Sequence, residues 1–122
     1  MVLDAGSLLT WFEASASERG MRAEYEAGQL TVIAPRTIAA DAIGLLAGRQ
    51  GWDGPRLERA AVELGRLAIE VHDPPLAGLA RWIAGGLAAD RAAYPALAES
   101  LDVRLVTDDP RLGEVAEAVV GA

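Results

Sequence analysis

The chain has 122 residues, enough for one domain, spanning 1–122, that buries most of its apolar surface without staples. It contains no cysteine, which excludes disulfides, structural zinc and thiol catalysis, and its eleven basic residues are all arginine, which excludes Schiff-base and lysine-clamp chemistry. A net charge of −7 argues against a broad basic surface for nonspecific nucleic-acid binding, although a cluster of metal-binding carboxylates would inflate that charge until its cations are bound.

Short apolar runs alternate with longer amphipathic segments, the pattern of an α/β domain with a mainly parallel sheet of four or five strands flanked by helices. Met1 to Leu3 reads as a short buried strand and Ser7 to Ala14 as a helix. A second helix is expected from Ser17, a capping residue, to Ala27, with Gly28 as its stop. Leu30 to Ile33 is the second strand. Pro35 sits where a first helical turn favours proline and opens a helix through Leu46. Residues 48 to 55, GRQGWDGP, form the strongest loop signal in the chain. A helix from Pro55 to Leu67 and a strand from Ala68 to His72 follow, then a helix opened by Pro74 and Pro75 that fades at Gly85 and Gly86. Asp90 to Leu101 is helical, but Pro95 lies beyond its first turn, so the helix is expected to begin late or bend. Arg104 to Thr107 is the fourth strand, and Pro110 to Ala118 the last helix.

No apolar stretch is long enough to span a bilayer, and MVLDAGSLL lacks a basic leader, so a cytoplasmic protein with no membrane partner is expected. Trp11, Phe12 and Trp82 suit a core or a dimer surface, and Trp52, in the glycine-rich loop, is the expected exposed aromatic. His72 is read as a structural or solvent-facing residue at a strand end, and Tyr94 as packing.

Four acids fall at or near element ends. Asp4 ends the first strand and Asp109 follows the fourth, and in open parallel sheets ligands bind beyond the carboxyl ends of strands. Asp41 interrupts an otherwise apolar helix, and Asp90 opens a later one. Each has a plain alternative. Asp90 and Asp109 would serve as helix caps, and Asp41 as an exposed helix residue. Asp4, directly after a buried strand, needs a partner of some kind. As a set, four carboxylates suit a hard divalent cation, Mg²⁺ or Mn²⁺.

Three stretches together resemble the PIN-domain family. VLDAGSLLTWFE is similar to its opening strand, Asp-x-Ser and apolar helix, and APRTIAADAIGLL to its proline, apolar helix and acidic residue. LAADRAAYPALAESLDVRLVTDDPRL resembles its helix of an acidic residue followed by Tyr-x-x-Leu-Ala, leading into a strand and Thr-x-Asp. Residues 48 to 86 are the least diagnostic. The resemblance implies a metal-dependent ribonuclease like the short VapC-type toxins of toxin–antitoxin pairs. It implies an acidic cluster of Asp4, Asp41, Asp90 and Asp109 acting as metal ligands and catalytic groups. It also implies an RNA substrate cut by metal-activated water, a small antitoxin partner and a homodimer.

Thr107 is the expected supporting donor behind the cluster, and Arg91 and Arg111 are candidate contacts to RNA phosphate or neutralisers of the acids. Two positions depart from the family's pattern. Asp41 stands where it usually has Glu, roughly 1.5 Å shorter in reach. Gly6 stands where it usually has Ser, with Ser7 one place later, which removes a hydroxyl of the kind that supports metal ligands. These departures leave a second expectation, a weakened or inactive PIN-like module that serves as a protein- or RNA-binding scaffold. A receiver-like or phosphatase-like domain using Asp and Mg²⁺ fits poorly, because such domains generally rely on a lysine.

Overall fold

The computed structural model describes residues 1–13, 28, 31–107, 109 and 112, with residues 11–13 described by their backbone only. Within them the chain is an α/β domain built on a four-stranded, all-parallel sheet flanked by helices. The expected helix from Ser17 to Ala27, the side chains of Trp11 and Phe12, Asp108, Arg111, and nearly all of the expected helix from Pro110 to Ala118 lie outside the described residues.

Strand β1 (Val2–Leu3) is short and wholly buried, as two β-favouring apolar residues flanked by neighbours on both sides should be. It pairs with β2 (Ile33–Pro35) on one side and β4 (Leu105–Val106) on the other, and β3 (Glu70–His72) lies outside β2. The sheet order is therefore β3-β2-β1-β4. The chain builds outward from β1 in one direction, then returns to add β4 on the other side. That reversal makes the carboxyl ends of β1 and β4 a topological switch point, where parallel sheets open a crevice.

Helix α1 (Ala5–Glu13) starts immediately after β1, two residues before the expected Ser7. The reason is Asp4. Its carboxylate accepts the Ser7 backbone N–H at 2.9 Å and its carbonyl accepts the Leu8 N–H at 3.0 Å, so it caps the helix. Helix α2 (Ile38–Ala47) turns Ile38, Ala42 and Leu46 into the core at helical spacing and packs on α1. Helix α3 (Gly54–Gly65) begins at Asp53, whose carboxylate accepts the Arg56 N–H at 3.0 Å, with Pro55 in the first turn. Helix α4 (Leu76–Ala84) follows the two prolines as expected.

Helix α5 (Ala89–Leu101) carries an unbroken buried run from Ala92 to Ala98. A helix buried all round must have neighbours all round. Here β1, β2 and β4 lie against it together with α4.

Three expectations are corrected. The second strand is Ile33–Pro35, later than Leu30 to Ile33, and Pro35 closes it instead of opening a helix. Proline is tolerated there because the ladder with β3 ends at the Pro35–His72 pair. Helix α5 does not begin late to accommodate Pro95, but starts at Ala89. The freed carbonyl belongs to Arg91, an exposed residue, and the proline ring is fully buried, so packing offsets the missing hydrogen bond. Trp52 is half-buried against the core, with the Arg56 guanidinium 3.9 Å from its ring centroid, and is not the free aromatic expected of that loop.

Candidate metal centre

All four acids line one cleft of about 510 Å³ at the switch point. Asp4 comes from the end of β1, Asp41 from the first turn of α2, Asp90 from the first turn of α5, and Asp109 from beyond β4. Ala40, Gly44 and Leu45 of α2 form an apolar wall, while Arg91 and Tyr94 of α5 complete the lining together with Asp90.

Asp4 is the buried member, 5% exposed. A carboxylate so deep in the fold requires donors, and it has two. Oδ1 takes the Ser7 N–H, and Oδ2 takes the hydroxyl of Thr107 from the end of β4. Thr107 Oγ1 in turn accepts the backbone N–H of Asp109 at 3.1 Å. Through Thr107, one hydroxyl ties the ends of β1 and β4 together. Ser7 contributes through its backbone, which any residue at that position could supply.

Asp41 is held through one oxygen. Its Oδ2 accepts the Tyr94 hydroxyl at 2.7 Å and the Thr37 hydroxyl at 3.1 Å. Thr37 occupies the cap position of α2 but makes no side-chain bond to the helix backbone. It serves the aspartate instead. The reading of Asp41 as a plain exposed helix residue does not hold, because it is half-buried and faces the cleft. Tyr94 is buried at 3% exposed, as its packing role requires, and it is also bonded to Asp41, a link no local sequence pattern marks. The available signal was general: a buried phenol needs a hydrogen-bond partner.

Asp90 is not the cap of α5, a position held by Ala88. It lies in the first turn, exposed, with Oδ1 accepting the Arg91 backbone N–H at 3.0 Å. Arg91 extends its guanidinium to Asp109, forming an ion pair at the rim. Arg91 therefore sits among the acids as an internal counter-charge. His72 stands apart from this cleft at the end of β3, its Nε2 2.7 Å from Glu70 Oε1.

The local field is negative. The Tyr94 hydroxyl is pushed well above the ordinary phenol range, first by burial, then by its bond to Asp41 and by the charges of Asp41, Asp4 and Asp90. A donor set made only of carboxylate and hydroxyl oxygens in such a field suits a hard divalent cation. Among the described residues, no three acidic or histidine side chains converge closely enough to hold one ion as they stand. Asp109 is engaged by Arg91, and Asp90 is exposed at the rim.

Fold and cleft together define a parallel α/β domain with an acidic crevice at its switch point. No protein-family model matches the chain, and no curated protein matches it.

Proposed function

We propose that this protein is a Mg²⁺- or Mn²⁺-dependent endoribonuclease of the PIN-domain type, the toxin of a toxin–antitoxin pair. The observation that carries the reading is the meeting of Asp4, Asp41, Asp90 and Asp109, from four separate segments, in one cleft at the carboxyl end of the sheet. The resemblance of the three motifs to that family supplies the reaction class. Asp4, Asp41 and Asp109 would hold the cation, with Asp90 joining from the rim. A bound divalent cation supplies a Lewis acid for the phosphodiester and water activated at neutral pH.

The chain's own residues do the rest. Thr107 and the Ser7 N–H fix the orientation of Asp4, and Tyr94 and Thr37 fix that of Asp41. Arg91, released from Asp109, would lie beside an RNA phosphate, with Arg111 a second candidate for that contact. The apolar wall of α2 offers a surface for a nucleobase or for an apolar residue of an antitoxin. A homodimer belongs to the same proposal.

A second reading, a PIN-like scaffold that binds RNA or protein without cutting, is favoured by one observation: Asp109 is already neutralised by Arg91. Calorimetric titration with Mn²⁺ and a cleavage assay on single-stranded RNA separate the two readings. The nuclease binds Mn²⁺ and cuts only in its presence, and Asp109→Asn weakens both. Wild-type protein that neither binds the ion nor cuts RNA leaves the scaffold. Co-purification with a small protein that suppresses cleavage would support the toxin role.

A further inference from the structure

Asp41 takes both of its side-chain donors on the same oxygen. Tyr94 and Thr37 approach Oδ2 from two different segments, and no described donor hydrogen-bonds to Oδ1. Two fixed donors on one oxygen set the plane of a carboxylate and leave the other oxygen for an outside ligand. The two donors differ in what holds them. The Tyr94 ring is buried within α5 beside Pro95, in a run without exposed residues, so its hydroxyl is a rigid point. Thr37 is exposed, so its hydroxyl is the weaker constraint.

Tyr94 also lies one helical turn after Asp90, which places it on the same face of α5 as that acid. Its phenol thus forms part of the floor beneath the acids, joining α5 to α2 across the cleft. At position 41 the aspartate side chain reaches the Tyr94 hydroxyl at 2.7 Å.

We infer that Tyr94 is the positioning residue of the metal centre: its hydroxyl locks the Asp41 carboxylate with Oδ1 turned to the cation, and Asp41 and Tyr94 act as one matched pair. The inference rests on the metal-dependent reading of the cleft. It assigns Tyr94 no contact with substrate and no proton transfer.

The test is calorimetric Mn²⁺ binding to wild type, Tyr94→Phe and Thr37→Val, each with its metal-free melting temperature. Tyr94→Phe keeps the buried ring and removes one oxygen. It is expected to weaken Mn²⁺ binding roughly 10-fold or more, the usual cost of losing a group that orients a ligand. Thr37→Val, at an exposed site that tolerates the change, is expected to weaken it by a smaller factor. The electron paramagnetic resonance line shape of bound Mn²⁺ should change in Tyr94→Phe, a response that loss of packing elsewhere would not give. Should Tyr94→Phe fail to fold, Thr37→Val and its line shape decide the matter. Wild-type affinity and line shape in the folded variants would overturn the inference and leave the metal centre standing. Absence of Mn²⁺ binding in wild type would overturn the metal reading and this inference with it.

Discussion

The hydroxyl of Thr107 donates to the carboxylate of Asp4, joining residues 103 positions apart in the chain across the paired ends of β4 and β1. Asp4 is buried, so removing this donor leaves part of a carboxylate without compensation. Thr107→Val, nearly isosteric, should destabilise the fold by about 1–3 kcal/mol in urea denaturation. It should also weaken Mn²⁺ binding in calorimetry, because Asp109 loses the acceptor for its backbone N–H at the same time. Unchanged stability would mean that the bond contributes nothing net.

Asp4 has two separable duties, a cap and a charge. Asn caps helices about as well as Asp, so Asp4→Asn should keep most of the stability while Mn²⁺ affinity collapses. Asp4→Ala loses both, with a further cost of ~1 kcal/mol for the cap. Chemical denaturation of the two variants side by side measures the difference. Equal losses in both would show that the cap is not what Asp4 contributes to the fold.

Arg91 pairs with Asp109, and on the metal-dependent reading it competes with the cation for that carboxylate. Arg91→Gln should therefore bind Mn²⁺ more tightly, by roughly five-fold if the ion pair has the ~1 kcal/mol typical of the stronger exposed pairs. The arginine is about half exposed, so solvent screening keeps the effect on folding stability small. RNA cleavage should move the other way, through loss of a phosphate contact. Tighter metal binding with slower cleavage in one variant is the expected signature, read by calorimetry and a steady-state assay.

The raised Tyr94 phenol has a consequence at high pH. In the unfolded chain it ionises near pH ~10, whereas in the fold it holds its proton well beyond that. Above pH ~10 the unfolded state binds fewer protons than the native state, so stability falls as pH rises. The contribution is complete below the unfolded value and is lost on the climb towards the folded one. Urea midpoints between pH ~8 and ~11 should drop, and Tyr94→Phe should flatten that drop. Of the two tyrosines, Tyr94 should give no tyrosinate absorbance until the protein unfolds.

Much of this site could be read from the chain because its acids sit at element ends, where strand and helix signals meet. Asp4 follows an apolar run too short to be anything but a buried strand, and Asp109 follows another. What escaped the sequence lay in contacts between distant segments. Tyr94 and Asp41 are 53 residues apart, and no local pattern marks their bond. The same limit applies to β2. Its span depends on the register set by β1 and β3, so local propensity placed it two to three residues early and read Pro35 as a helix start. The Asp4 cap was local, but the strand reading of the preceding residues obscured it. Pro95 was a true local conflict, settled by burial on every side of α5.

The sheet order also bears on when the acids can meet during synthesis. β4 is near the end of the sequence yet pairs with β1 at its start, and Asp109 reaches the cleft only with β4. A ribosome delivers β1, β2 and β3 first, so the nascent chain carries Asp4, Asp41 and Asp90 without their fourth member. Until β4 has left the exit tunnel, the cleft can have the sides supplied by Ile38–Ala47 and Ala89–Leu101 but lacks the edge that brings Asp109. Asp109 can join the other three acids only after β4 has docked beside β1.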